Sequence, residues 1–175
     1  CEKPMAGSDE DCDAMIDDCD RNKVILFIAF KHRYAKAFAY LKQNLGRMGK
    51  PLWAVYSYPL WRIGDPGWKF IGGAIKGIIV ENMVHAIDVL RYLMGDAERI
   101  YGETNTGVAF NYAKWPDSAV FTFRFKNGAI AALGGGCTSD PRMSRECLDI
   151  HFEAAVARVW GKLDLPYNLT LLMRD

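Results

Sequence analysis

The 175-residue chain reads as α+β: an open, mainly antiparallel sheet with helices on one face, preceded by a remnant βαβ unit of a doubly wound domain. Three observations carry this. Lys23–Ala29 (KVILFIA) is a short continuous apolar run after an amphipathic helix, the mark of a strand buried on both faces of a parallel sheet. After Gly95 the patterns are almost all strand-like. Asn127-Gly128 joins the apolar segments Ala119–Phe125 and Ala129–Leu133 as a two-residue hairpin turn does.

In chain order, residues 1–7 read as a strand end entering a loop, with Pro4 forcing Lys3 into extended conformation. Ser8 is the N-cap of a helix, with Cys12, Met15, Ile16 and Cys19 on one face. The buried strand follows at Lys23–Ala29. A second helix runs from His32 to Leu45 with Tyr34, Phe38, Leu41 and Leu45 aligned, and Gly46 and Gly49 end it. Leu52–Tyr58 alternates as a strand, and Pro59–Phe70 is a loop rich in Trp, Gly and Pro. Gly72–Gly77 lacks the spacing of a dinucleotide fingerprint and reads as loop and helix entry. Ile78–Met94 is a helix capped by Gly95. The hairpin follows, with Gly134-Gly135-Gly136 as a flexible end to its second strand, then strands at Leu148–Glu153, Ala155–Trp160 and Leu169–Met173. Phe121, Phe123 and Phe125 share one face of their strand, while Val120, Thr122 and Arg124 share the other. The organisation is therefore residues 1–30 as the tail of a doubly wound unit and 31–175 as a substrate-binding and oligomerisation domain.

Lysine plus arginine is 22 against 21 acids, a net charge of +1. This balance leaves no footprint for nucleic acid or an anionic membrane. Half the residues are apolar and 13% aromatic, which excludes disorder. No uncharged apolar run approaches the ~20 residues of a spanning helix. Five cysteines with no C-x-x-C pair fit neither a disulfide framework nor a zinc ribbon, and point to a reducing cytoplasm. Trp53, Trp61 and Trp68 read as core or interface packing. His32 and His151 have no evident partner in the sequence.

The helix at Ile78–Met94 carries the chemistry. Its apolar residues spread around most of the circumference, so it is a buried helix. Glu81, His85, Asp88 and Tyr92, spaced 4, 3 and 4, form a narrow polar seam on that apolar rod. Three readings fit the seam: an internally satisfied stripe, a metal site (one His with two carboxylates is a poor zinc set), or general acid–base catalysis with an imidazole oriented by a carboxylate.

Cys1-Glu2-Lys3-Pro4-Met5-Ala6, Phe30-Lys31-His32-Arg33-Tyr34, and the block from Glu81-Asn82-Met83-Val84-His85 to Met94-Gly95 resemble the glucose–fructose oxidoreductase / inositol dehydrogenase family in order and separation. That resemblance implies a Rossmann domain followed by a domain on an open antiparallel sheet. It implies hydride transfer between NAD or NADP and a sugar, cyclitol or related polyol. Lys3, Glu81 and His85 fall on the family's catalytic positions. Asp88, Tyr92 and Arg33 become substrate contacts, and Glu2, Lys3 and Pro4 cofactor contacts. No metal is implied. The family's glycine-rich phosphate loop has no counterpart here, so no cofactor binding is expected of this chain alone. A homodimer or tetramer through the open sheet is the implied assembly. A non-catalytic binding or oligomerisation module that keeps the fold is the alternative.

Overall fold

A computed structural model of the chain describes residues 1–61, 77–107, 114–139, 142, 145–161 and 166–174. A seven-stranded sheet dominates it: β1 (Pro51–Trp61), β2 (Ala97–Asn105), β3 (Ser118–Phe125), β4 (Ile130–Ser139), β5 (Glu146–Phe152), β6 (Ala155–Gly161) and β7 (Asn168–Met173). The spatial order is β2-β3-β4-β1-β5-β6-β7. Every neighbouring pair is antiparallel except β1 with β4. A parallel pair needs a crossover, and the crossover from β1 contains the seam helix.

Among the described residues, four α-helices accompany the sheet: α1 (Asp9–Arg21), α2 (Lys36–Gln43), α3 (Leu45–Met48) and α4 (Val84–Met94). A 3₁₀ turn at Lys31–Tyr34 precedes α2, and a π-helical turn at Ile79–Met83 precedes α4. α2 and α4 cover one face of the sheet. Phe38 and Leu41 of α2 and Val89, Leu90 and Leu93 of α4 are buried in one core with Tyr56, Leu133, Leu148, Ile150 and Phe152. The period-2 alternation of the strands decides which residues face that layer: β5 is buried at every second residue from Glu146 to Phe152. Phe123 and Phe125 point into the core and Phe121 packs against it, while Val120, Thr122 and Arg124 are exposed. The opposite face stays open, with Trp53, Val55, Val120, Ile130 and Leu172 exposed on it.

Several expectations are corrected. α1 forms where Ser8 predicts it, with the Ser8 hydroxyl accepting from the Asp11 N–H at 3.2 Å. Lys23–Ala29, however, joins no sheet, with Lys23 in the turn after α1 at φ 55°, and residues 1–7 form no strand. The two segments meet only through main-chain bonds: the Cys1 amine donates to the Phe27 carbonyl (2.7 Å) and the Ala29 N–H to the Cys1 carbonyl (2.9 Å). Val24, Ile25 and Phe27 are exposed, and α1 buries none of its residues. An apolar run becomes a doubly buried strand only when neighbouring strands and a helix layer close over it. No described residues do so here.

The second helix starts at Lys36, not His32, because Lys31–Tyr34 is the 3₁₀ turn; α3 then continues through Gly46, and Gly49, at φ 79°, ends it. β1 continues past Tyr58 to Trp61, so Pro59 pairs with Gly136 instead of opening the loop. Residues 62–76, including Trp68 and most of the predicted loop, lie outside the described residues, as does the Trp61 side chain. Gly134, Gly135 and Gly136 do not end β4. They are paired on both sides, with β1 and β3. At Gly136 an added Cβ would come within 2.6 Å of the Ser118 Cβ, so these glycines permit close strand approach. His151 stacks on Trp53 across β1 and β5 with centroids 3.7 Å apart, a partner hidden until the register is known.

Candidate active site

The seam is buried as its spacing predicts. Glu81, His85 and Asp88 are among the few buried polar residues, and Tyr92 is half-buried against the core. Glu81 sits inside the π-helical turn, an irregularity that often marks a functional site.

Lys3 reaches this helix from the far end of the chain. Its Nζ donates to Glu81 Oε1 at 3.1 Å and also to the Glu81 main-chain carbonyl. The two side chains are only 14% and 12% exposed, so the ion pair is largely shielded from water. Lys3 precedes Pro4 through a cis peptide bond. Glu2 beside it is exposed, and Pro4 is half-buried.

Arg33, from the 3₁₀ turn, grips Asp88 with both prongs: Nε to Oδ2 at 2.7 Å and a terminal nitrogen to Oδ1 at 2.5 Å. The Asp88 hydrogen bond raises the already high Arg33 pKa, against the opposing effect of burial. The guanidinium lies 5.1 Å from the Tyr92 ring centroid and 5.7 Å from that of Phe30. Lys42 of α2 holds Tyr92 from its other contacts, donating to its carbonyl at 2.6 Å with its ammonium 4.8 Å from the ring. The sequence-predicted residues thus form two linked groups on one helix: Lys3 with Glu81, and Arg33 with Asp88 and Tyr92. His85 lies between them in sequence, presenting its ring to Phe30 edge-on at 6.3 Å.

A third group had no role in the sequence reading. His32 is buried and stacks on His85 with centroids 4.5 Å apart. Glu146, at the start of β5, is 2% exposed and accepts from both Tyr56 and Tyr167. Burial first, then the nearby Glu146 charge, pushes the Tyr56 phenol well above its ordinary value. One local signal existed for Glu146. The period-2 rule puts it on the same row as Leu148, Ile150 and Phe152, an acid on an apolar face. For His32 there was none, since its partners come from four other parts of the chain.

The family model of the GFO/IDH/MocA C-terminal domain matches residues 41–158. The chain belongs to this family. It is 31% identical over 138 residues to the myo-inositol 2-dehydrogenase of Thermotoga maritima, spanning 76% of this chain and 40% of that protein. It is 25% identical over 135 residues to the D-apiose dehydrogenase of Rhizobium rhizogenes, spanning 76% of this chain and 39% of that one. Among solved structures, the WlbA dehydrogenase of Bordetella pertussis, determined with NADH and UDP-GlcNAcA, superposes with a TM-score of 0.83 at 24% identity. That match covers 91% of this chain and 47% of the other, and shows a shared fold. This GFO/IDH/MocA chain therefore spans less than half the length of these two relatives.

Proposed function

We propose that this GFO/IDH/MocA chain is the substrate-binding portion of an NAD(P)-dependent oxidoreductase that transfers a hydride between the cofactor and a sugar, cyclitol or related polyol. The observation that carries the reading is the Lys3–Glu81 pair. It draws a lysine from the first residues of the chain onto the buried helix that bears His85, at an acid four residues before that histidine, which supports a shared proton-handling role for the three. The relatives' names, a myo-inositol and an apiose dehydrogenase, support the substrate class.

In this reading His85 accepts the proton of the substrate hydroxyl. Lys3 turns part of its hydrogen bonding from Glu81 to the reacting oxygen and lowers the cost of its developing charge. Glu81 keeps the lysine charged and in place. Arg33, fixed by Asp88, offers its remaining N–H donors to substrate hydroxyls, with Tyr92 as the wall beneath it. Assaying the full-length protein against a panel of cyclitols and aldoses with both nicotinamide cofactors is the direct test. Cofactor reduction with none of them would end the proposal.

These residues do not by themselves fit a dinucleotide. The sequence contains no G-x-G-x-x-G loop, and Glu2 stands exposed instead of forming part of a cradle. NADH titrated into this chain and followed by fluorescence is expected to give no saturable signal below the millimolar range. A micromolar dissociation constant would contradict this.

We further infer that the open sheet face pairs with a second copy of the chain. Val55, Val120, Ile130 and Leu172 are each between 47% and 64% exposed on this face, a patch of the kind that marks an interface. Sedimentation at tens of micromolar, a range set by ordinary interface affinities, should show a dimer or tetramer. Val120→Glu with Ile130→Glu should return it to monomer without lowering its melting temperature. A parent chain that sediments only as monomer rejects the pairing. No described helix is long and apolar enough to cross a membrane, and the five free cysteines accord with a cytoplasmic setting.

A further inference from the structure

Side chains on the open face of the sheet stand in three rows across the strands. In the first, Trp53 of β1 is level with Ile130 of β4 and His151 of β5; in the third, Ser57 is level with Gly134 and Cys147. The row between them holds Val55, level with Ala132 and Asp149. The three central strands therefore carry a bulky ridge beside a trench of small residues, a hollow of about 700 Å³ lined in part by Ser57, Gly134 and Val120. The ridge is braced, since the exposed Trp53 stacks on His151 with planes 14° from parallel. At the β2 end the rows differ in charge. Arg99 and Arg124 lie directly opposite each other in the ridge row, and Glu103 is level with Val120 in the trench row. Like charges so placed repel. Among the described residues no acid pairs with either arginine, and Arg124 donates only to the Gly128 carbonyl at 3.1 Å.

We infer that two copies of the chain stack these faces about a two-fold axis running across the strands over the Val55 row, so that the Trp53 ridge of each seats in the Ser57–Gly134 trench of the other. This rests on the sheet-face pairing proposed above and adds its geometry. In a two-fold contact, residue i meeting residue j is repeated as j meeting i. The axis across the strands turns the first row onto the third. Trp53 then meets the partner's Ser57, Ile130 the partner's Gly134 and Arg99 the partner's Glu103.

Stacking about an axis along the strands fits worse. An axis over β1, the central strand, sets Trp53 on the partner's Trp53 and Ser57 on the partner's Ser57. Bulk then meets bulk, the trenches stay empty, and Arg99 meets the partner's Leu172 in place of an acid. With the axis across the strands, the middle row meets its own copy. Val55 and Ala132 are apolar there, and Asp149 is already neutralised by Arg158 through hydrogen bonds of 2.6 and 3.0 Å. No bare charge is therefore buried along the axis. Aligned sheets stack at about 30°, which displaces the edges more than the centre. The Trp53 contact lies beside the axis and carries the fit, while Arg99 and Glu103 span the offset with long side chains.

Complementary variants test the axis. Ser57→Trp fills the trench and Trp53→Ser removes the ridge. Each alone should weaken self-association by about tenfold or more, the scale of an overpacked or emptied contact made twice. When the two variants are mixed, both contacts again pair one tryptophan with one serine. A mixed dimer should then form, and native mass spectrometry tells it from either self-dimer by mass. If either variant fails to fold, Arg99→Glu and Glu103→Arg decide by the same logic: each repels its own copy and attracts the other. A dimeric parent whose complementary variants form no mixed dimer overturns the axis and leaves the sheet-face pairing standing, and so does a folded single variant that dimerises as tightly as the parent. A parent chain that sediments only as monomer rejects the pairing and the axis together.

Discussion

In the full-length enzyme, His85→Ala is expected to lower turnover by about 10²–10⁴-fold, the usual contribution of a positioned general acid or base. Stability should fall much less. Truncating the ring removes a stacking partner of His32 and leaves a small void, a loss of roughly 1–2 kcal/mol for one buried side chain among many. A structural histidine gives the opposite balance, with little specific effect on rate and a clear loss of stability. Lys3→Ala should resemble His85→Ala, because it removes the only ammonium that reaches Glu81 among the described contacts. Glu81→Gln should be milder. Its amide oxygen can still accept from Lys3, and the main-chain carbonyl that Lys3 also uses is untouched. Steady-state kinetics beside thermal unfolding separates the two readings. Should His85→Ala keep more than about a tenth of parent turnover while melting several degrees lower, the seam is structural and the binding-module alternative gains.

Gly135→Ala should cost about 3 kcal/mol or more, at the upper end of overpacking effects. Gly135 lies on the strand between β1 and β3, paired with Tyr58 and Ala119. A Cβ there would stand 2.5 Å from the Tyr58 main-chain oxygen. That obstacle is backbone in the middle of a seven-stranded sheet, so no rotamer change relieves it. The same Cβ would press the Met83 methyl at 3.3 Å, and Met83 belongs to the π-helical turn that carries Glu81. Strain at this strand therefore reaches the site. For a chain of this size the melting temperature should drop by roughly 6–12 °C. Gly134→Ala is the control, since its Cβ would meet only the Val120 Cγ2 at an ordinary 3.7 Å. It should stay within about 0.5 kcal/mol of the parent. Equal melting of the two variants would show that β4 is not packed as described.

Features written within a few neighbouring residues were legible. Ser8 caps α1, Asn127-Gly128 turns the β3–β4 hairpin with Gly128 at φ 88°, and the 4-3-4 spacing places Glu81, His85 and Asp88 on one buried stripe. The inward Phe row of β3 follows from period 2 alone. Each depends on local backbone geometry, which a short window of sequence encodes.

Tertiary structure decided the rest. Whether KVILFIA becomes a buried strand depends on partners, and within the described chain the only distant main chain bonded to it is that of Cys1, so Val24, Ile25 and Phe27 lie exposed. Gly134–Gly136 looked like a frayed end because glycine signals freedom locally; two flanking strands turn that freedom into close packing. The pairing of Lys3 with Glu81, and of His32 with Glu146, Tyr167 and His85, joins residues far apart in sequence. Side chains brought together by a sheet's register and a helix's docking leave no periodic trace in the chain. The helix that bears the chemistry could therefore be read from its own residues, while the stacking of His32 on His85, and the approach of Tyr58 of β1, Glu146 of β5 and Tyr167 to His32, became visible only in the fold.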